Sequence, residues 1–341
     1  MGKLFNVALL GATGAVGKEL ISILEERQFP IEELRLLASP RSAGVQIPFR
    51  GENLTVSAVS ESSFDGCQFV FMSAGAGRAK EWAPVAQAKG AIVIDNSSAF
   101  RSDPEVPLVV PEINSHALCG ESTIVSVPNC SAILLLMAVA PLRTLGTIKR
   151  IIVSTYQSAS GAGAAAMDEL RTQTELVLQG GQAVPSVFPH PIAFNLFSHN
   201  TSIDESGYND EERKVISESR KILEMPELCM NVTCIRVPVM RAHSESVTIE
   251  FESQAPSLES VRNTLEAFPG VSVVDDRDSN TFPMPLSASG QDDVLVGRIR
   301  EDLSNPNAIC LFLSGDQLRK GAALNAVQIA EALITKASSQ A

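Results

Sequence analysis

One cysteine stands in a sequence context that favours nucleophilic chemistry. Cys130 follows the apolar segment Thr123–Val127 and precedes the apolar stretch Ala132–Val139, a pattern that predicts a strand and then a helix. The positive end of a helix dipole lowers the pKa of a thiol at the helix N-terminus and raises its thiolate fraction. A thiolate attacks aldehydes well and leaves a thioester that phosphate can cleave. The alternative is a buried structural cysteine.

Such a nucleophile requires an acid or a base, and His243 is the histidine in the most polar sequence context. The string RVPVMRAHSE places Arg236 before a proline-containing segment and His243 after it, at the end of a predicted strand. A cation and a titratable imidazole can then face one cleft. His190 and His199 are interpreted as loop residues from their proline and asparagine neighbours. For each histidine a purely structural role is the alternative.

A glycine-rich turn near the N-terminus predicts a dinucleotide site. The motif GATGAVG puts Gly11, Gly14 and Gly17 between an apolar run at 5–10 and an amphipathic helix. Small residues let the backbone turn tightly and approach a pyrophosphate at the helix N-terminus. A Walker A loop is excluded because Ala12 stands where its first glycine belongs. A glycine turn without a ligand is the alternative.

The residues after the second predicted strand indicate which dinucleotide binds. An NAD site usually has an acidic residue there for the ribose 2′-hydroxyl. This chain instead has Ser39-Pro40-Arg41-Ser42. Arg41 can pair with a 2′-phosphate, and the hydroxyls of Ser39 and Ser42 can add hydrogen bonds. The pattern favours NADP, with an ordinary solvated turn as the alternative.

The elements that must position these residues change in kind along the chain. Short apolar runs alternate with helical segments over about the first 150 residues, which predicts an α/β fold with a mostly parallel sheet. Longer strands follow, typical of an α+β domain. The predicted strands are 5–10, Leu34–Ala38, Phe69–Met72, Ala91–Ile94, Thr123–Val127, Arg150–Tyr156, Cys234–Met240, Ser246–Phe251 and Ala308–Leu313, with later helices at Thr172–Leu178, Glu211–Leu223 and Gln317–Ile334.

Composition limits the class of protein. The 341 residues are 45% hydrophobic with a formal net charge of −12, which indicates a globular chain and argues against nucleic acid or a membrane as partner. The longest apolar run, Ala132–Leu142, is too short to cross a bilayer, and no signal-peptide pattern precedes the first strand. Without a CxxC pair we expect no metal site, reduced thiols and a cytoplasmic protein. The cysteines are Cys67, Cys119, Cys130, Cys229, Cys234 and Cys310.

Along nearly its whole length the chain resembles the aspartate-β-semialdehyde dehydrogenase family. The motifs that carry the resemblance are GATGAVG (11–17), DNSSAFR (95–101), VPEIN (110–114), VPNCSAI (127–133), YQSASGAG (156–163), EERK (211–214), CIRVPVMRAHSESV (234–247), DDVLVGRIR (292–300) and LRKGAALNAVQIAE (318–331). The resemblance implies a glyceraldehyde-3-phosphate-dehydrogenase-like α/β fold. Residues 1–129 would form a Rossmann-type NADP-binding domain on which the helix 316–341 packs, and 130–315 an α+β catalytic and dimerisation domain.

Roles for the reactive residues follow from the resemblance. Cys130 would be the nucleophile that forms the acyl-enzyme. His243 would be the general acid/base that takes its proton and assists collapse of the tetrahedral intermediate. Gln157 would orient the substrate.

The resemblance also implies the binding residues. Arg236 would clamp the α-carboxylate by a bidentate pair, Glu211 would hold the α-ammonium, and Arg101 and Lys214 would bind the phosphate. A solvated Glu211–Lys214 ion pair would be the preferred interpretation without the resemblance. Asn129 completes the substrate site. The NADP contacts would be Gly11, Thr13, Gly14, Ala15, Val16, Ser39, Arg41, Ser42, Ser160, Gly161 and Gln317, the last standing where the family usually has asparagine.

The implied reaction is reversible, NADPH-dependent reduction of L-4-aspartyl phosphate to L-aspartate 4-semialdehyde with release of phosphate. It lies on the route to lysine (and diaminopimelate), threonine and methionine, and the implied assembly is a homodimer, with tetramers in some members. N-acetyl-glutamyl-phosphate reductase and glyceraldehyde-3-phosphate dehydrogenase share the architecture. Glu211 argues against the first, whereas Arg41 and Arg236 argue against the second. A non-catalytic paralogue that only binds ligands is the alternative from another class.

Overall fold

The computed structural model describes residues 3–118 and 123–340, with the side chains of 339 and 340 left aside. Cys119, one of the thiols expected to be reduced, and position 341 of the expected C-terminal helix lie outside the described residues. The chain forms two compact units. Unit 1 consists of residues 3–118, 123–128 and 322–340, and unit 2 of residues 129–321.

Unit 1 contains a six-stranded, wholly parallel sheet in the order β5-β2-β1-β6-β7-β8, and β3 pairs with β4 in a separate antiparallel hairpin. Strands β1–β8 are Phe5–Leu10, Ile31–Ala38, Gln46–Phe49, Glu52–Thr55, Ser57–Ala58, Phe69–Met72, Ile92–Asp95 and Ile124–Ser126. Helices α1–α3 are Ala15–Glu26, Ala76–Ala88 and Pro111–Asn114. Apart from the half-buried Asn6, strands β1 and β6 are apolar and buried, as expected of parallel strands covered on both faces.

Unit 2 is built around a mixed seven-stranded sheet in the order β10-β11-β9-β12-β15-β14-β13. Strands β9–β15 are Ile148–Gln157, Phe197–Ser198, Cys229–Arg236, His243–Phe251, Val271–Val273, Val294–Glu301 and Ala308–Gly315. Helices α4–α8 are Cys130–Val139, Ala164–Leu178, Asp210–Leu223, Leu258–Glu266 and Pro285–Ala288. Helix α4 is apolar on all sides and is buried beyond its first residue, so it is the centre of the core of this unit.

Several predicted boundaries were wrong, and two of the errors change how candidate site residues are placed. The strand predicted at Cys234–Met240 ends at Arg236, and 237–242 form a bend that contains Pro238, which lacks the N–H that a ladder needs. His243 therefore begins β12 instead of ending a strand. The last helix, α9, spans Leu324–Gln340 and does not begin at Gln317, because a wider turn at Arg319–Ala323 precedes it.

Helix α9 packs within unit 1. The side-chain amide of Asn325 donates to the carbonyl of Val109 at 2.8 Å, and Arg27 of α1 pairs with Glu331 at 2.7 Å. Among the described residues, no helix combines the length and the apolar character that a bilayer span requires. The C-terminal segment thus completes the unit that begins the chain.

Candidate active site

The thiol of Cys130 lies at the N-terminus of α4. Asn129 caps this helix, since its Oδ1 accepts from the backbone N–H groups of Ser131 at 3.0 Å and Ala132 at 3.2 Å. The first turn contains no acidic residue, and Cys130 is half-buried. The guanidinium of Arg236 also interacts electrostatically with this thiol. The helix end and the cation both favour the thiolate.

The amide of Asn129 belongs to a buried hydrogen-bond network. Its Nδ2 donates to Oε1 of Glu211 at 2.7 Å, and its backbone N–H donates to Oε2 of Glu218 at 2.5 Å. Gln157, at the end of β9, donates through Nε2 to Oγ of Ser131 at 2.8 Å and to Oε1 of Glu211 at 3.1 Å. Its Oε1 has no hydrogen-bond partner among the described residues. The carboxylate of Glu211 is thus the shared acceptor for both amides.

Glu211 is ionised despite its burial. Burial raises the pKa of this carboxyl, but hydrogen bonds from the Asn129 and Gln157 amides and the nearby Lys214 ammonium lower the pKa below its usual range. Lys214 lies one turn along α6 with its Nζ 3.6 Å from Oε2 of Glu211. The pair differs from a solvated surface pair, because the Glu211 side chain is only 9% exposed. The site therefore holds a fixed negative charge.

His243 is fully buried and is held by the loop that follows β9. The backbone N–H of Ser158 donates to Nδ1 of His243 at 3.1 Å, and the Ser158 hydroxyl lies 3.0 Å from the same nitrogen. Since an amide N–H can only donate, Nδ1 is an acceptor and the neutral ring carries its hydrogen on Nε2. Burial lowers the pKa of His243 to about 3, and the Arg236 guanidinium acts in the same direction. The imidazole is therefore neutral at physiological pH.

A serine chain extends this network toward Gln317. The hydroxyls of Ser158 and Ser160 lie 3.0 Å apart, and Nε2 of Gln317 donates to Oγ of Ser160. Oε1 of Gln317 in turn accepts from the backbone N–H of Ala242 at 3.0 Å. Gln317 thus belongs to the same hydrogen-bond network as His243, through Ser160 and Ser158.

Gly161 lies between the imidazole of His243 and the guanidinium of Arg236. A Cβ at this position would lie 2.9 Å from Cε1 and Nε2 of His243 and 3.3 Å from Nη1 of Arg236. Arg236 also pairs in register with Gln157, at the ends of β11 and β9. The imidazole and the guanidinium therefore face the same glycine.

The structure also shows side chains around this site that sequence reasoning missed. Ser158 contacts Nδ1 of the His243 imidazole, although in the sequence it was only part of the motif YQSASGAG and no role was predicted for it. His199, interpreted as a loop residue, lies with Nε2 2.8 Å from Nη2 of Arg236. The ring of Phe188 lies 5.5 Å from the Arg236 Cζ. No local pattern could have identified His199 and Phe188, because both belong to an irregular segment.

Unit 1 contains the glycine loop between β1 and α1. Gly11 has a φ of +99°, and a Cβ there would lie 2.4 Å from the carbonyl oxygen of Ser73. A Cβ on Gly17 would lie 2.1 Å from the carbonyl oxygen of Gly11. Gly14 is the exposed N-cap residue of α1, so no N-cap side chain occupies the N–H groups of the first turn. The N–H groups of the first turn, on Ala15, Val16 and Gly17, have no partner within the helix and suit an anion such as a pyrophosphate, with Thr13 in the turn before them.

The other cationic residues expected in the site also lie in unit 1. Arg41 is exposed in a short helical turn, Pro40–Ser42, directly after Ser39, and makes no ion pair within the described part of the chain. No acidic residue directly follows β2. Arg101 donates through Nε to the carbonyl of Val127 and through Nη2 to that of Asn96, both at 2.9 Å. Backbone carbonyls thus fix its guanidinium at the carboxyl ends of β7 and β8.

Comparison with known proteins extends over both units. The family model "Semialdehyde dehydrogenase, NAD binding domain" matches residues 6–120, and "Semialdehyde dehydrogenase, dimerisation domain" matches residues 139–320. An aspartate-semialdehyde dehydrogenase of Synechocystis sp. is 53% identical over 97% of this chain and 98% of its own length. One of Bacillus subtilis is 44% identical over 98% of each chain. The chain belongs to the aspartate-semialdehyde dehydrogenase family.

Solved structures of the aspartate-semialdehyde dehydrogenase family bear out the fold. Aspartate semialdehyde dehydrogenase II from Vibrio cholerae, crystallised in complex with ASA, matches with a TM-score of 0.95 at 42% identity, over 98% of this chain and 99% of that one. A probable aspartate-semialdehyde dehydrogenase from Pseudomonas aeruginosa matches with a TM-score of 0.90 at 33% identity. The expected fold, a Rossmann-type dinucleotide-binding unit joined to a mixed-sheet unit, is confirmed.

Proposed function

We propose that this protein reduces L-4-aspartyl phosphate to L-aspartate 4-semialdehyde with NADPH and releases phosphate, at the branch toward lysine (and diaminopimelate), threonine and methionine. The observation that carries the proposal is the arrangement in unit 2 of a cysteine at a helix N-terminus, a buried neutral imidazole and a buried guanidinium. Relatives named aspartate-semialdehyde dehydrogenase that align over nearly the whole chain support it.

Cys130 is the proposed nucleophile. In the reductive direction its thiolate attacks the acyl carbon of aspartyl phosphate, a tetrahedral intermediate forms, and phosphate leaves to give a thioester. The N-terminus of α4 and the guanidinium of Arg236 stabilise the thiolate before the attack. Arg101 and Lys214 are the proposed cations for the phosphate. NADPH, when bound, supplies the hydride that converts the thioester to the aldehyde level.

His243 is the proposed general acid/base. It enters the reaction neutral with its hydrogen on Nε2, the form that donates to the carbonyl oxygen as that oxygen becomes negative. With its hydrogen on Nε2 the ring acts as a donor there. Nε2 can take up the thiol proton only in the tautomer whose hydrogen is on Nδ1, and the Ser158 hydroxyl can accept that Nδ1 hydrogen. The Ser158 hydroxyl, which can donate or accept, therefore suits both tautomers, whereas the Ser158 N–H suits only the one with its hydrogen on Nε2.

The amino-acid end of the substrate is proposed to bind between two buried charges. Arg236 binds the α-carboxylate, and its Nε has no hydrogen-bond partner among the described residues. Glu211 accepts from the α-ammonium, while Gln157 and Asn129 orient the chain of the substrate. A carboxylate held ionised in this position suits a free amine and has no partner in an N-acylated substrate. That contrast favours an aspartyl over an N-acetyl-glutamyl substrate.

NADP is the proposed cofactor. The backbone of Gly11–Val16 would hold the pyrophosphate, and Arg41 with the hydroxyls of Ser39 and Ser42 would hold the 2′-phosphate. Ser160, Gly161 and Gln317 are proposed for the nicotinamide end, where the absent side chain of Gly161 leaves room. We propose residues 1–129 with the C-terminal helix as the NADP domain and 130–315 as the catalytic and dimerisation domain of a cytoplasmic homodimer.

The test is phosphate-dependent reduction of NADP⁺ with aspartate semialdehyde, followed at 340 nm, with NAD⁺ in parallel. We expect turnover that requires phosphate and prefers NADP⁺. Cys130→Ala should retain only trace activity, whereas Cys310→Ala, a half-buried cysteine on β15, should keep the wild-type rate. Turnover by Cys130→Ala would contradict the covalent mechanism, and a preference for NAD⁺ would contradict the role of Arg41.

A further inference from the structure

Arg236 is held by contacts from two directions. Its Nη1 donates to the carbonyl oxygen of Ser158 at 2.6 Å. Its Nη2 lies 2.8 Å from Nε2 of His199 and 3.2 Å from Oδ1 of Asn200, and its Cζ lies 5.5 Å from the centre of the Phe188 ring. The side chain as a whole is only 2% exposed. A single hydrogen bond on Nη1 would leave the planar group free to pivot, whereas acceptors on both nitrogens fix its plane.

The protonation of His199 follows from its partner. A guanidinium has only hydrogen-bond donors, so Nε2 of His199 must present a lone pair to Arg236. The ring is therefore neutral and carries its hydrogen on Nδ1, which lies 3.5 Å from Oγ1 of Thr201. His199 cannot exchange protons through Nε2 while it holds Arg236. This excludes it as a second acid or base in the site.

We infer that His199 is a positioning residue, whose Nε2 lone pair fixes the guanidinium of Arg236 in the orientation that receives the substrate carboxylate. The inference rests on the proposed function, in which Arg236 binds that carboxylate. A neutral acceptor suits this task because it leaves the full positive charge of Arg236 available. A carboxylate at the same place would pair with Arg236 and compete with the substrate.

The segment before His199 is itself fixed by helix α5. The carboxylate of Glu169 accepts from the backbone N–H groups of Ser186 at 3.0 Å, Val187 at 2.6 Å and Phe188 at 3.1 Å. Gln173, one turn further along, donates to the same carboxylate at 2.7 Å. These bonds hold an irregular loop so that the Phe188 ring faces Arg236. The loop thus contacts the guanidinium of Arg236 in the absence of substrate, so the orientation of this group is preorganised.

The kinetic test uses His199→Leu, which removes the acceptor, and His199→Gln, whose Oε1 can replace Nε2. We expect His199→Leu to raise the KM for aspartate semialdehyde about tenfold with a smaller change in kcat, and His199→Gln to stay within about threefold of wild type. The KM for phosphate should not change in either variant. His190→Leu, an exposed histidine of the same loop, is the matched control and should behave as wild type.

The outcomes separate the inference from its rivals. Equal rises in both KM values with a lower melting temperature would indicate a merely structural residue, and a His199→Gln variant as poor as His199→Leu would overturn the acceptor role. A ¹⁵N-histidine spectrum, with His199 assigned by its loss in His199→Gln, should show Nε2 without and Nδ1 with a hydrogen. A hydrogen on Nε2 would overturn the inference whether or not the enzyme turns over. Absence of phosphate-dependent turnover in the wild type would instead contradict the proposed function.

Discussion

The glycine loop of unit 1 and the polar cluster of unit 2 are built on opposite principles. In the loop, Gly11 and Gly17 must lack side chains because backbone atoms lie where a Cβ would be, and the expected ligand contacts are backbone N–H groups. In the cluster, side chains from distant segments, such as Asn129, Glu211 and Arg236, are fixed by one another. The glycine loop depends on the absence of side chains, whereas the polar cluster depends on side chains that are hydrogen-bonded or paired with one another.

The two regions respond differently to substitution. The loop is contiguous in sequence, so one added methyl group meets backbone that cannot move aside, and the cost falls on folding. The cluster is discontinuous, so a change at one member alters the orientation or charge of its neighbours, and the cost falls on catalysis.

Gly17→Ala tests the loop. Its Cβ would lie 2.1 Å from the carbonyl oxygen of Gly11, so we expect a loss of about 3 kcal/mol in the free energy of unfolding. Gly14→Ala is the matched control, because its Cβ meets only the Gly11 oxygen at 3.4 Å, and its stability should stay close to wild type. Urea unfolding of both variants measures the difference. Equal stabilities would mean that the loop relaxes freely.

Gly161→Ala tests the cluster. The added methyl group would press on the imidazole of His243 and on the guanidinium of Arg236, so we expect kcat/KM to fall about 100-fold while the protein stays folded. Initial rates and a thermal melt on the same sample measure the two quantities. A large loss of stability with normal turnover would reverse the proposed division between the two regions.

Arg41→Ala tests the turn after β2, where the proposed contact with the cofactor is a charge and not a backbone N–H group. Loss of the cation should raise the KM for NADP⁺ about tenfold and leave the KM for NAD⁺ nearly unchanged, because only NADP⁺ has a 2′-phosphate. Parallel titrations with the two cofactors measure the ratio. Arg78→Ala, an exposed arginine on α2, is the control and should leave the ratio as it is in wild type. Equal effects on both cofactors would indicate that Arg41 does not read the phosphate.

Glu245 is a buried carboxyl near the polar cluster, but it lacks the hydrogen-bond partners that the members of the cluster have. It lies on β12, and neither carboxylate oxygen has a hydrogen-bond partner among the described residues. Burial raises the pKa of this carboxyl well above its usual range. With a raised folded-state pKa, its contribution to stability is full below the unfolded-state pKa of about 4.3 and is lost as pH rises toward the folded-state value.

Glu245→Gln, which keeps the shape without titrating, should therefore be more stable than wild type at pH 8, by on the order of 1 kcal/mol, with a smaller gap at pH 5. Thermal unfolding at the two pH values measures the gap. Glu301→Gln, exposed on β14, is the control and should show no such pH dependence. An equal gap at the two pH values would mean that Glu245 is ionised in the folded protein.

The sequence predicted the strands of unit 1 better than the segments of unit 2. Phe69–Met72 was predicted with its observed bounds because a buried parallel strand is apolar at every position. Strand β2 begins at Ile31, earlier than the predicted Leu34, because Glu32 and Glu33 interrupt the apolar pattern. The end of β11 at Arg236 and the start of α9 at Leu324 depend on contacts made after a bend, which local periodicity does not describe.

The candidate residues were found in the sequence, but their relations were not. Motifs identified Cys130, Gln157 and Arg236, and a residue's chemical type is visible in its letter. Whether Glu211 is solvated or buried, and whether His199 faces solvent or a guanidinium, depends on segments that lie far away along the chain. Hydrogen-bond partners across such distances are chosen by packing, which no local pattern encodes.

By itself the sequence determined the family, the parallel architecture of the first unit, the glycine turn and the candidate nucleophile. These depend on local pattern, short-range sterics and the chemistry of single residues. Only the tertiary structure decided that Glu211 is a buried anion, that His243 carries its hydrogen on Nε2, and that His199 holds Arg236. The physical reason is that protonation states and side-chain orientations are properties of an environment, and that environment exists only after distant strands and helices have packed together.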